Sequence, residues 1–269
     1  MFTERPFLGN PVAVVLEGGG LSDADMLRIA AWTNLSETTF VLPSSRASYR
    51  LRIFTPRAEL LFAGHPTIGS AHAVREAGLI PASARSLVQE CGAGLIPLSV
   101  DSSGNIHAQV PKARVSPFTD LGMLCAALGA PVEAPLIVDV GPRWIVARLE
   151  SREALLRLSP DPVALSALSQ ATGTGGATIY ALADGGVEVR SFAPLHGIAE
   201  DPVCGSGCAS VGVHLRELDG ISGWSGGRLR ARQGAAMNRA GEVWVQIGAD
   251  EVSIGGAAIT VVEGSILLE

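Results

Sequence analysis

Lysine is almost absent: Lys112 is the only one in 269 residues, and the other basic side chains are scattered arginines. No basic patch with interleaved aromatics forms, and the net charge is −6 with a pI near 5.4, so no nucleic-acid partner is expected. No apolar run reaches the roughly 18 residues that a bilayer span needs. Residues 1–6 lack a charged segment followed by an apolar one, so no secretory leader is expected either. Cysteine is scarce, at positions 91, 125, 204 and 208 only. Free thiols in a reducing cytoplasm are the expectation, and no nearby Cys/His set joins Cys204 and Cys208 to complete a metal site. A Gly-x-Ser-x-Gly elbow, a phosphate loop and a dinucleotide fingerprint are also missing. Gly18-Gly19-Gly20 has no Lys-Ser/Thr after it and reads as a turn.

What is present is a globular composition, 47% hydrophobic with 32 Gly and 16 Pro. The length suits two lobes of about 120–140 residues each. β-branched, aromatic or alternating runs predict strands at 12–16, 39–42, 49–54, 95–100 and 106–110. Ser22 can cap a helix over 22–32 with Met26, Ile29 and Ala30 as its apolar stripe. Residues 66–77 are small and apolar nearly all round, as in a buried central helix. The second half repeats the plan, with strands at 136–140, 144–147, 178–181 and 187–192, a surface helix at 161–170 and a buried helix at 205–218. A β-meander over 228–233, 243–247, 252–254 and 258–262 closes the chain.

A weak internal repeat ties the halves together. Arg52-Ile53-Phe54-Thr55-Pro56 is similar to Arg190-Ser191-Phe192-Ala193-Pro194, about half a chain further on. Acidic residues follow each copy, Glu59 in one and Glu200 with Asp201 in the other. A compact helix start comes next, Gly64-His65-Pro66-Thr67 or Cys204-Gly205-Ser206-Gly207. The repeat places a boundary near residues 111–117. It divides the chain into an N-terminal lobe of residues 1–115, which the C-terminal strand can join, and a C-terminal lobe of residues 116–269.

A helix start offers unpaired N–H groups and partial positive charge, and glycine lets a ligand come close. Gly205-Ser206-Gly207 therefore reads as a carboxylate cradle or as simple close packing. His65 stands at the opposite helix start, either as an acid/base or as a structural imidazole next to Pro66. Glu37 lies between a helix and a strand: held in a dry cleft it would titrate near neutrality, and otherwise it is a solvated turn residue. Asp201 either caps a helix or binds a substrate amine or hydroxyl. Cys204, at a helix start, is either a thiol of lowered pKa or a small buried hydrophobe, the role that suits Cys208.

Five ordered segments resemble the phenazine-biosynthesis PhzF-like family, within the diaminopimelate-epimerase fold. They are the opening Phe2-Thr3-Glu4-Arg5-Pro6-Phe7-Leu8-Gly9-Asn10-Pro11, then Asn34-Leu35-Ser36-Glu37-Thr38-Thr39-Phe40, then Phe54-Thr55-Pro56 with Ala63-Gly64-His65-Pro66-Thr67. Phe192-Ala193-Pro194 with Glu200-Asp201-Pro202 and Gly205-Ser206 comes fourth, and the tail from Gln233-Gly234 to Gly255-Gly256 fifth. The resemblance implies an α+β fold of two pseudo-symmetric lobes, each a curved, mostly antiparallel sheet or barrel around a central helix. The active site lies in the cleft between them. By the same likeness Glu37, His65 and Asp201 are catalytic, with Glu37 the general acid/base. Ser206, Gly205, Gly64, Thr67 and Cys204 hold a small carboxylate substrate. No cofactor is implied, and the likeness suggests a homodimer. Related epimerases place a catalytic Cys where Cys204 stands and pair it with a second Cys, or occasionally Thr, in lobe one, at the position here given to His65. PhzF-like proteins usually have Thr at the position of Cys204 and a strand before the opening Phe-Thr. Met1 sits almost on that point, so either the start codon is misplaced or lobe one lacks an edge strand. Three functions follow for testing: an isomerase shifting a proton with Glu37, an epimerase or racemase using Cys204 alone, and a non-catalytic small-carboxylate binder.

Overall fold

The computed structural model describes residues 1–219, 227–249 and 251–268. In the first half β1 (Ala13–Val15), α1 (Asp23–Thr33), β2 (Thr38–Leu42), β3 (Tyr49–Phe54), β4 (Glu59–Leu60), α2 (Gly64–Glu76), β5 (Ser86–Cys91), β6 (Gly94–Val100) and β7 (Ile106–Gln109) follow one another. A linking segment carries β8 (Arg114–Pro117), α3 (Leu121–Leu128) and β9 (Glu133–Asp139). The second half runs through β10 (Arg143–Arg148), α4 (Arg152–Leu156), α5 (Pro162–Thr172), β11 (Gly176–Ala183), β12 (Gly186–Ala193), β13 (Ile198–Asp201) and α6 (Gly205–Asp219). It ends with β14 (Arg228–Gln233), β15 (Gly241–Ile247) and β16 (Val252–Gly256).

The strands form one continuous sheet in the order β1-β2-β3-β5-β6-β7-β16-β15-β14-β12-β11-β10-β9-β8, with β4 beside β3 and β13 beside β12. The two halves repeat the same pairing. From β1 to β7 the contacts are parallel, antiparallel, parallel, antiparallel, antiparallel. From β10 to β16 the sequence is identical. The last strands of the two halves, β7 and β16, pair antiparallel, with Ile254 opposite Ala108, and so join the lobes at their pseudo-twofold centre.

Each half curls around one helix. The helix α2 packs against β1, β2, β3, β7 and β16, and α6 packs against β9, β10, β11, β15 and β16. Both begin with small residues because the first turns are enclosed on all sides. Gly64 to Ala71 are all buried in α2, and Cys208, Ala209, Ser210, Val211 and Val213 are inaccessible in α6. Outer helices cover the other face of each half. The stripe Met26, Ile29 and Ala30 of α1 packs on Phe40 and Phe54, and α3 to α5 cover the outer face of β9 to β12. The capping reading of Ser22 holds: its hydroxyl accepts from the Asp25 N–H while the Asp25 carboxylate accepts from the Ser22 N–H.

The sequence repeat is a repeat of contacts. Arg52 reaches Glu59 with two hydrogen bonds of 2.8 and 2.6 Å and lies over the Phe54 ring at 5.0 Å. Arg190 reaches Glu200 with bonds of 2.9 and 2.7 Å and lies over Phe192, also at 5.0 Å. Each fork clamps a short strand, β4 or β13, that leads into the central helix start. Arg190 is also tied to the Leu155 and Leu158 carbonyls, which locks α4 onto the same strand.

One predicted strand does not form. Residues 258–262 leave the sheet after Gly256, because β16 already has β7 and β15 on its two sides and no edge is open to a further strand. The Thr260 hydroxyl instead contacts the side chains of Glu76 and His72 on α2. Helices α3 and α4 escape the sequence pattern, being short and stabilised by local caps from Asp120 and Ser151.

Helix α6 approaches the sheet closely at Gly207. A Cβ there would lie 2.6 Å from Ser191 Oγ and 2.8 Å from Thr178 Oγ1. Gly207→Ala is expected to push the start of α6 off the β11–β12 pair and lower stability by about 1–3 kcal/mol. The midpoint of a urea unfolding curve measures it, and an unchanged midpoint would contradict this packing.

Candidate active site

Two helix starts meet at the centre of the molecule. A Cβ on Gly64 would lie 3.9 Å from the Gly205 Cα, and one on Gly205 would lie 3.7 Å from the His65 backbone nitrogen. The Ile254 Cδ1 of β16 sits against both glycines at less than 3 Å from either added carbon, so a side chain at either site must displace it. Ala63 supplies no side-chain cap to α2. The first N–H groups of two helices thus point toward one region with both dipoles adding.

Around that region the structure gathers side chains from both halves. Glu37 enters from the turn between α1 and β2, and His65 from the first turn of α2. Glu37 Oε2 stands 3.2 Å from His65 Nε2, and both side chains are nearly inaccessible. Neither atom has a well-aligned hydrogen-bond partner among the described residues, so the contact is close but unsatisfied. Asp201, at the end of β13, accepts the Val203 N–H at 3.0 Å. Ser206 Oγ accepts from Trp144 Nε1 at 3.0 Å and lies 3.5 Å from Cys204 Sγ. Glu37, His65, Asp201, Ser206, Gly64 and Gly205 therefore occupy one interlobe region, although they are spread from position 37 to 206 in the chain.

Burial sets the protonation states. Glu37 is pushed up to about 7 by burial and then by the charge of Asp201, against a smaller opposing effect of the Ser36 hydroxyl. Asp201 is pushed up to about 6, again chiefly by burial, with the Val203 N–H and the Cys204 thiol opposing. Burial drives His65 down to about 3, so its imidazole is neutral. At neutral pH the region holds one carboxyl near its midpoint, one carboxylate and one neutral imidazole.

Three sequence expectations change. Cys204 does not gain a lowered pKa from its helix start: burial, followed by the Asp201 charge, drives the thiol well above its ordinary value. Its sulfur instead accepts the Gly207 N–H at 3.3 Å, which makes it a cap. Thr67 is fully buried and its hydroxyl accepts from Gln89 Nε2 at 3.0 Å, so it faces the interior of lobe one and not the shared region. The first-lobe counterpart of Cys204 is Ala63, the residue before the facing glycine, whereas His65 corresponds to Ser206.

Two buried carboxamides went unnoticed in the sequence. Gln233 of β14 donates to the Asp201 carbonyl at 2.7 Å and accepts the Cys204 N–H at 3.1 Å, which pins the loop leading into α6. Asn10 is wholly inaccessible and links both halves: its Nδ2 lies 3.0 Å from Asp201 Oδ1, 3.1 Å from the Val203 carbonyl and 3.4 Å from His65 Nδ1. It belongs to the opening segment that carried the resemblance, the only signal that pointed to it. Elsewhere, a groove of about 630 Å³ runs along the outer face of β14 and β15, and none of Glu37, His65, Asp201 or Ser206 lines it. Among the described residues no group of three or more His, Cys, Asp or Glu is placed to hold a metal ion, and no helix is long and apolar enough to cross a membrane.

Comparison with known proteins adds the following. The family model PhzC-PhzF, described as phenazine biosynthesis-like protein, matches residues 1–264. The chain is 41% identical to antisense-enhancing sequence 1 of Schizosaccharomyces pombe, over 80% of this chain and 78% of that one. It is 34% identical to trans-2,3-dihydro-3-hydroxyanthranilate isomerase of Pseudomonas aeruginosa, over 96% of this chain and 94% of the relative. The crystal structure of a Bacillus anthracis phenazine biosynthesis protein of the PhzF family superposes with a TM-score of 0.88 at 25% identity, covering 99% of this chain and 96% of that one.

The raised carboxyl has a consequence for stability. Glu37 titrates at about 7 in the fold against 4.5 ordinarily, so the folded state holds its proton more tightly than the unfolded chain does. Its stabilising contribution is complete below pH 4.5 and is lost as the pH rises through about 7. Glu37→Gln, neutral throughout, is expected to match the native chain at low pH and exceed its stability above neutrality by on the order of 3 kcal/mol. Urea unfolding at about pH 5 and about pH 8 tests this, and a variant less stable at the higher pH would refute it.

Proposed function

The chain belongs to the phenazine biosynthesis-like PhzC-PhzF family and is an isomerase, and on that premise we propose that it shifts a proton within a small unsaturated amino or hydroxy acid with Glu37 as general acid/base. The observation that carries the reading is the Glu37 carboxyl, buried beside a neutral His65 and poised at about 7. An acid/base is most effective when its pKa matches the working pH.

The substrate carboxylate sits at the facing helix starts, where the backbone N–H groups of Gly64, Gly205 and Ser206 and the summed dipoles favour an anion. Ser206, with its hydroxyl already accepting from Trp144 Nε1, has its own hydrogen left to donate to that anion. Glu37 as carboxylate removes a proton from a carbon next to the unsaturated system. The C–H bonding pair moves into conjugation, and the double bonds shift. Glu37, now protonated, exchanges its O–H hydrogen with water and delivers a hydrogen to a different carbon of the substrate. No electron leaves or enters, so the step needs no redox group. His65 stays neutral and faces the migrating charge with Nε2, the ring nitrogen beside Glu37. Asp201 remains ionised and holds the proton affinity of Glu37 high, so that the proton is both taken and given back near neutrality.

A base at Cys204 fits the arrangement poorly, since a buried thiol held protonated and capping α6 is not a proton acceptor. With trans-2,3-dihydro-3-hydroxyanthranilate, the substrate named for the Pseudomonas relative, as first probe, turnover in heavy water is expected to place deuterium on one carbon of the product. Glu37→Gln is expected to lose about 10²–10⁴-fold in that incorporation, read by mass spectrometry. Full incorporation in the variant would remove Glu37 from the mechanism. Cys204→Thr should lose less than about tenfold, whereas loss of an epimerase base would abolish turnover.

A further inference from the structure

We propose that the Asn10 carboxamide is a positioning residue that decides which of the two carboxyls joined through it and His65, Glu37 or Asp201, carries the site's proton. This rests on the reading of Glu37 as acid/base and explains why Glu37, not Asp201, has that role.

The amide of Asn10 has two hydrogens. The Val203 carbonyl at 3.1 Å and Asp201 Oδ1 at 3.0 Å take both, and His65 Nδ1 at 3.4 Å is left as the longest of the three contacts. Two acceptors around its nitrogen and the Ser36 hydroxyl donating to its oxygen at 3.5 Å fix the orientation of the amide. Asp201 Oδ1 thus receives two N–H bonds, from Asn10 and from Val203. Donors aimed at a carboxylate favour its charged form. Glu37 has no equivalent support: its Oε2 lacks a well-aligned partner, and Ser36 is the hydroxyl beside it.

The groups facing this pair come from every adjoining element. They are the neutral His65 of α2, Glu200 of β13 held in its fork with Arg190, the protonated Cys204 and Cys208 at the start of α6, and the Met1 amino terminus, which donates to the Asn10 carbonyl at 2.8 Å and is pushed down to about 6 by burial and then by Arg239. Among these, Asn10 alone touches Asp201 and His65 together. The charge of Asp201 opposes ionisation of Glu37, so the two carboxyls do not ionise independently. The one that receives the N–H donors ionises first, and the other retains the proton.

Infrared titration of the resting protein, without substrate, tests this through the C=O stretch of protonated carboxyls. In the native chain the band that persists to the highest pH should vanish in Glu37→Gln and survive in Asp201→Asn. Asn10→Leu has nearly the same volume and no donors. In that background the assignment should reverse, with the last band removed by Asp201→Asn. A last band still belonging to Glu37 in Asn10→Leu would overturn the proposal. Should Asn10→Leu fail to fold, Asn10→Ser keeps one donor, and the Asp201 midpoint should then move up toward that of Glu37; an unmoved midpoint also overturns it. Because no turnover is needed, this outcome is independent of the deuterium experiment: Glu37→Gln can remain active, which ends the mechanism, while Asn10 still governs where the proton resides.

Discussion

Two helices start nose to nose at Gly64 and Gly205, and the distance between them leaves room for no side chain. That approach orders the rest of the molecule. It requires Ile254 between the glycines, hence the insertion of β16 beside β7, hence a sheet that runs unbroken through both halves. It also brings the turn after α1 and the loop after β13 within side-chain reach of each other. A bulkier residue at either helix start would separate the lobes by the width of a methyl group and leave Asn10 unable to touch both His65 and Asp201.

Burial at this junction is opposed by electrostatics. Two carboxyl groups, an imidazole and two thiols lie out of water, and each is displaced from its ordinary titration in the direction that disfavours charge. Carboxamides compensate locally: Asn10 and Gln233 hold the segment from Asp201 to Cys204 by both its backbone and its side chains. The helix dipoles contribute in the same sense, since each presents its positive end to the acidic region. What remains uncompensated is Glu37, whose Oε2 lies beside the equally unpartnered His65 Nε2.

The halves share a frame and differ in what they place on it. The fork of Arg52 on Glu59 and that of Arg190 on Glu200 are near copies, as are the Thr67–Gln89 and Cys208–Gln233 contacts beneath the helix starts. At the centre the correspondence stops being chemical. Ala63 corresponds in position to Cys204 and His65 to Ser206, while Glu37 and Asp201 come from elements with different connections. A symmetric scaffold thus carries an asymmetric set of polar side chains.

Much of the frame was legible in the sequence because its causes are local. Ser22 and Asp25 box the start of α1, small residues mark α2 and α6, and the Arg-x-Phe-x-Pro segments mark matching strands. The exceptions have spatial causes: residues 258–262 read as a strand, but β16 has no free edge to receive one. Glu37 alone looked like a turn glutamate, Cys204 stayed open between an activated thiol and a small buried hydrophobe, and Asn10 stood out only as part of the opening segment. Their states depend on partners up to 193 positions away, as with Asn10 and Val203. The sequence by itself determined which segments become helices and strands and which side chains stand at the helix starts, since propensity, capping and pattern act over a few residues. Only the tertiary structure decided which of them are desolvated and which touch one another, because burial and hydrogen bonding across the lobes arise once the two halves have closed on each other.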